Sequence, residues 1–161
     1  MKLDFRYTYD DLLQREKRAI DIAEMAMDNA YQPYSSFSVG ACLVTEDDEY
    51  IYASNVENSS YGLTICAERS AIVKANSEGI RRFKAIAVIT RGEDFDSQKP
   101  GAPCGACRQV INEFAQLSTI GNIEIILSNT QKNEIAITSI NELLPMAFGP
   151  KDLNIDIEKY R

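Results

Sequence analysis

The run FKAIAVIT, Phe83–Thr90, constrains this chain's fold more than any other stretch. It is short, apolar and rich in β-branched residues, which reads as a buried strand. Helix-like segments stand on both sides of it in the sequence. A strand between two helices belongs to a sheet that helices cover, with some parallel pairing across the helical crossovers.

The remaining segments extend that frame. From Asp10 to Ala30, the residues Leu13, Ile20, Ala23, Met27 and Ala30 recur at helical spacing with charges between them. YQPYSSFS (Tyr31–Ser38) is a loop broken at Pro33. SVGACLVT and YIYASNV form a hairpin of two β-rich runs joined by the acidic EDDE. A helix spans about Cys66 to Ser77, and Gly79 closes it. RGEDFDSQKPGAP is a loop, and a further helix runs from about Gly105 to Leu117. IEIILSN and EIAIT are strands, and SINELLP is a short helix that Ser139 can cap. The order α β β α β α β β α predicts one α/β domain over residues 1–161, its first two strands antiparallel and helices on both faces of the sheet.

Composition narrows the partners. The 161 residues are 45% hydrophobic and 25% charged, as in ordinary globular chains. Lys and Arg number 17 against 24 Asp and Glu, a net charge of −7. That acidic balance argues against nucleic acid, whose binders draw most affinity from phosphate contacts. It favours a small substrate or a protein partner. MKLDFRYTYDD has no apolar core of signal-peptide length, and no apolar run approaches the ~20 residues that span a bilayer. The expectation is a cytoplasmic protein without a membrane segment, in which four cysteines point to metal or catalysis rather than disulfides.

The chain has no histidine, so thiols must supply any soft metal site. Cys66 opens one helix, and Cys104 and Cys107 open the next. Helix starts present free N–H groups and partial positive charge, which favour the metal-binding thiolate. Cys42 sits among apolar strand neighbours and reads as a core residue. Three ligands leave one position open, the pattern of catalytic rather than structural zinc. Glu68 follows Cys66 by two residues. Alone it is a first-turn dipole partner; beside a metal-bound water it is a candidate general base and acid. Arg69 is either a surface charge or a donor that offsets the excess negative charge of three thiolates on a divalent ion.

Cys66-Ala67-Glu68 followed by Pro103-Cys104-Gly105-Ala106-Cys107 is the ligand-x-Glu and Pro-Cys-x-x-Cys signature of zinc deaminases. With NVEN, ICAERSA, PCGACRQV and ELLPMAFGP in that order, the chain resembles the homotetrameric cytidine deaminases of pyrimidine salvage from YQPYSSFSVGA to LLPMAFGPKDL. The resemblance implies a three-layer fold around a mixed five-stranded sheet. It implies hydrolysis of cytidine and 2′-deoxycytidine to the uridine nucleosides with release of ammonia. One zinc per chain would be held by Cys66, Cys104 and Cys107, with Glu68 moving the protons. Asn55 and Glu57 match a ribose-binding pair, although by themselves they read as a polar loop after a strand. Phe37 matches an aromatic that packs on the base, although by itself it can also read as a core aromatic at a strand start. The backbone of Ala67 would read the base's polar edge. Tyr61 and Phe148 match residues that reach a neighbouring subunit's site in a homotetramer. The loop before Pro103, the SSY stretch (Ser59–Tyr61) and the chain past Leu153 depart from the family pattern without touching the metal motif.

Three other readings stay open on the residues alone. A four-cysteine structural zinc module requires Cys42 at the metal. A thiol redox protein would use Cys104 and Cys107 and leave Glu68 idle. A deaminase of antibiotic nucleosides, damaged bases or nucleic acid keeps the chemistry and changes the substrate.

Overall fold

The computed structural model describes residues 7–92 and 99–160. Much of the loop RGEDFDSQKPGAP and most of the N-terminal MKLDFRYTYDD therefore lie outside the described residues. Five strands form one mixed sheet in the order β2-β1-β3-β4-β5. They are β1 (Phe37–Thr45), β2 (Tyr50–Ser54), β3 (Phe83–Gly92), β4 (Glu124–Ser128) and β5 (Ile135–Ser139). β1 pairs antiparallel with β2 and with β3, β3 pairs parallel with β4, and β4 pairs antiparallel with β5. The parallel pair is bridged by α3 (Gly105–Ala115), as the crossover argument requires.

Strand alternation sorts the core into two halves. Cys42, Val44, Ala85, Ala87, Ile89 and Ile126 face α1 (Gln14–Met27), whose Ala19, Ile20, Ala23 and Met27 cover them. Their strand neighbours Leu43, Ile86, Val88, Ile125 and Leu127 face the other way, onto α2 (Ala67–Ser77) and α3. Gly40 is what lets α1 lie so close to β1: a Cβ there would stand 1.8 Å from the carbonyl oxygen of Ala23. Gly79 follows α2 with φ +81°, a left-handed conformation that favours glycine after a helix end.

The short α4 (Ile140–Leu143) starts at Ser139, whose side chain accepts from the Glu142 backbone N–H. Several element ends differ from the sequence reading, among them the end of the first helix, at Met27 rather than Ala30. The first helix begins at Gln14 rather than Asp10. Glu16 Oε2 accepts from the Leu13 backbone N–H at 2.8 Å, and Tyr9–Asp11 form a separate 3-10 turn in which Asp11 accepts from Thr8. Leu13 is thereby turned outward, and Leu12 is the buried leucine. The hairpin's second strand stops at Ser54, so Asn55 and Glu57 stand just beyond it. No helix among the described residues is long and apolar enough to cross a membrane.

Candidate metal centre and pocket

The N-termini of α2 and α3 meet at the carboxyl end of β3, where parallel strands and helix starts commonly build sites. Cys66 is the N-cap of α2 and Cys104 the N-cap of α3, both with extended backbone, and Cys107 lies in the first turn of α3. Cys66 Sγ is 4.0 Å from Cys104 Sγ, and Cys104 Sγ is 3.5 Å from Cys107 Sγ. All three sulfurs lie within 4.8 Å of one another. Thiolates bound at ~2.3 Å to a tetrahedral zinc stand roughly 3.8 Å apart, so this set fits that ion. Cys42 is fully buried on the α1 side of the sheet, the face opposite the cluster. The closed four-cysteine module therefore lacks its fourth ligand.

The thiols differ in proton affinity. A hydrogen bond with Cys107, helped by Arg69 and Cys104 and opposed by burial, pulls the Cys66 thiol down to about 5. The same bond pushes Cys107 up. Burial in an apolar layer pushes Cys42 up to about 12. Arg69 donates through Nη2 to the Thr64 carbonyl at 3.0 Å and lies 4.0 Å from Cys66 Sγ. Its side chain thus turns to the thiolates rather than to the surface.

Glu68 is only 3% exposed, and its Oε2 has no hydrogen-bond partner among the described residues. Burial raises its pKa, and the charge on Cys66 raises it further. An orphaned carboxylate oxygen in a helix's first turn, beside a thiol cluster, is what a bound water on the metal's open position would satisfy.

A pocket of about 280 Å³ opens next to it. Phe37, Asn55, Glu57, Cys66, Glu68 and Cys104 all line it. Phe37 is 38% exposed, so it is not a core aromatic. Asn55 Oδ1 accepts from the Val39 N–H at 2.8 Å, and Nδ2 donates to the Phe37 carbonyl at 2.9 Å, which leaves one amide N–H free of these contacts. Glu57 accepts from Ser35 Oγ and from the backbone N–H groups of Tyr34 and Ser35. The Ser35 bond holds its carboxyl below the usual range. Ala67 is fully buried as the first residue of α2. Tyr61 and Phe148 are 75% and 59% exposed and line no part of this pocket. Thr90 and Gly101 also line the pocket, and neither is singled out by sequence reasoning. A Cβ on Gly101 would come within 2.8 Å of Thr90 Cγ2, so the backbone at Gly101 lies tightly against the end of β3.

The family model described as the cytidine and deoxycytidylate deaminase zinc-binding region matches residues 13–120. A cytidine deaminase from Sporosarcina psychrophila is 43% identical over 89% of this chain and 98% of its own length. One from Halalkalibacterium halodurans is 46% identical over 82% of this chain and 92% of its own. The crystal structure of a cytidine deaminase from Burkholderia pseudomallei superposes with a TM-score of 0.73 at 42% identity, covering 85% of this chain and all of the other. Three thiols at zinc spacing, a buried glutamate beside them and these likenesses lead to one conclusion: the chain belongs to the zinc-dependent cytidine and deoxycytidylate deaminase family.

Proposed function

We propose that this chain hydrolyses cytidine and 2′-deoxycytidine to uridine and 2′-deoxyuridine, releasing ammonia, as a cytoplasmic enzyme of pyrimidine salvage. The observation that carries the reading is the buried, unpartnered Glu68 oxygen in a pocket it shares with Cys66 and Cys104. Cys66, Cys104 and Cys107 hold one zinc per chain. Zinc, when bound, lowers the pKa of its water so that hydroxide is available near neutral pH. Glu68 accepts the proton of the attacking water and passes it to ring nitrogen 3 of the base. Once carbon 4 is tetrahedral, the same carboxylate takes the proton of the newly added hydroxyl and delivers it to the amine, which departs as ammonia as the carbon 4 carbonyl forms. The burial of Glu68 keeps bulk water from competing for that proton.

The other residues orient the substrate. The Ala67 backbone N–H, one of the first helical donors without an intrahelical partner, reads the base's polar edge. Phe37 packs on the ring. Asn55 and Glu57 meet the sugar hydroxyls, Asn55 through its remaining N–H. Arg69 and the two helix starts offset the charge of the thiolates. Tyr61 and Phe148, exposed in the single chain, serve a neighbouring site in a homotetramer. The net charge of −7 supports a free nucleoside over nucleic acid.

The test is zinc content and cytidine absorbance for the parent and for Glu68→Ala. One zinc per chain in both, with cytidine consumed only by the parent, is the expected result. Zinc in both with no turnover of either nucleoside overturns the substrate assignment. Light scattering tests the assembly, and a stable, active monomer overturns the homotetramer.

A further inference from the structure

Helix α3 carries three side chains that reach out to backbone carbonyls. Arg108 donates through Nε to the Pro103 carbonyl at 2.8 Å and through Nη1 to the Leu143 carbonyl at 3.1 Å. Gln109 Nε2 and Asn112 Nδ2 both donate to the Phe148 carbonyl, at 2.9 and 3.2 Å. The two clamps hold different things. Gln109 and Asn112 hold the segment that presents Phe148. Arg108 holds the peptide unit that enters Cys104.

That peptide unit is decisive for the thiol cluster. Cys104 is an N-cap with φ −66° and ψ 168°. Its own carbonyl joins the helix, accepting from the Arg108 N–H at 2.9 Å. The Pro103 carbonyl lies one residue outside the helix, so no helical hydrogen bond restrains it. The plane of the Pro103–Cys104 peptide sets the direction in which the Cys104 Cα–Cβ bond leaves the backbone. A guanidinium is planar and rigid, and it can grip two carbonyls at once. Its second grip is on Leu143, the last residue of α4, where a helix end leaves carbonyls without partners and favours a cation. Arg108 therefore ties the metal loop to a second element of the fold.

We propose that Arg108 is a positioning residue for the metal centre: by bridging the Pro103 and Leu143 carbonyls, it keeps the Cys104 sulfur where it meets Cys66 and Cys107. The proposal rests on those three cysteines being the zinc ligands. Among the described residues, the Arg108 side chain hydrogen-bonds to the two carbonyls and not to the thiols, and it does not line the pocket. Its effect is on how long the metal stays and on the geometry around it.

The experiment compares zinc-loaded parent, Arg108→Lys and Gln109→Ala. Gln109→Ala loosens a carbonyl clamp on the same helix without touching Pro103. Zinc release to a chromophoric chelator is followed at neutral pH, beside the thermal midpoints of the zinc-free chains. Each chain is also loaded with cobalt(II), whose ligand-field bands report the thiolate geometry. Removing outer partners of metal ligands typically changes affinity by about 10–100-fold, so release from Arg108→Lys is expected about tenfold faster or more. Its cobalt bands shift, its zinc-free midpoint stays near the parent's, and Gln109→Ala behaves as the parent in every readout. Parental release and unchanged bands in Arg108→Lys overturn the proposal. So does equal acceleration in Gln109→Ala, which would mean general loosening of α3. A zinc-free midpoint that falls as far as the loaded one assigns Arg108 to capping α4 alone. A parent that binds no zinc overturns the ligand assignment itself, which the other outcomes leave intact.

Discussion

The two faces of the sheet each hold a cysteine from the same sequence, with opposite chemistry. Cys42 lies under α1 among Val44, Ala87 and Ile126, and burial pushes its thiol up to about 12. Cys66 lies on the other face at a helix start, beside two thiols and Arg69, and its thiol is pulled down to about 5. Burial opposes the thiolate on both faces, and Cys107, fully buried beside Cys66, is pushed up by its bond to Cys66 and by burial. The difference is what surrounds the sulfur: apolar side chains on one face, and helix N-termini, thiols and a guanidinium on the other. The α1 face packs Cys42 among apolar side chains; the α2/α3 face holds Glu68, whose Oε2 has no hydrogen-bond partner among the described residues.

The sharpest way to break this comparison is to remove a thiol from each face. Cys107→Ser is expected to lose zinc and all measurable deamination, read by metal analysis and cytidine absorbance. Zinc retained at one equivalent would show that two thiols suffice. Next in size is Glu68→Gln, which keeps shape and zinc while removing the proton carrier. Its kcat is expected to fall by on the order of 10²–10⁴-fold, the usual range for a general acid–base group. A KM change with kcat preserved would place Glu68 in binding instead.

On the packing face, Gly40→Ala brings a methyl group onto the Ala23 carbonyl. The loss of stability in urea unfolding should reach the upper end of the roughly 1–3 kcal/mol typical of overpacked cores. An unchanged midpoint would mean that α1 shifts freely. Smallest is Cys42→Ser, which buries a hydroxyl in an apolar layer and is expected to cost about 1–3 kcal/mol with zinc and kcat unchanged. In the folded, zinc-free parent, an alkylating reagent at pH 8 should modify Cys66 early and spare Cys42. Its thiolate forms only as the pH approaches 12. Mass spectrometry of peptides checks this, and early labelling of Cys42 would contradict its burial.

What could be read from the sequence was local. The thiol set and Glu68 were legible because helix-start signals and i, i+2 and i, i+3 spacings lie within single segments. Cys42 was legible as core because strand alternation with apolar neighbours places it. Strand order was not: β1 lies between β2 and β3 through pairings that join residues far apart in the chain. The start of α1 is set by Glu16 accepting from the Leu13 N–H, a detail the hydrophobic period does not carry. Arg108 is not legible in the sequence, because half its meaning lies at Leu143, in a different element.

Asn55 has a consequence of its own. Although β2 ends at Ser54, the Asn55 amide bonds to β1 as a further strand residue would, gripping Phe37 and Val39 at once. The side chain assigned to the sugar is thus also the last rung of the sheet. Tuning of sugar preference at this corner therefore cannot proceed one contact at a time. On the roles proposed for Asn55 and Phe37, replacing Asn55 also frees the Phe37 carbonyl, so selectivity for the sugar and grip on the base are inherited together.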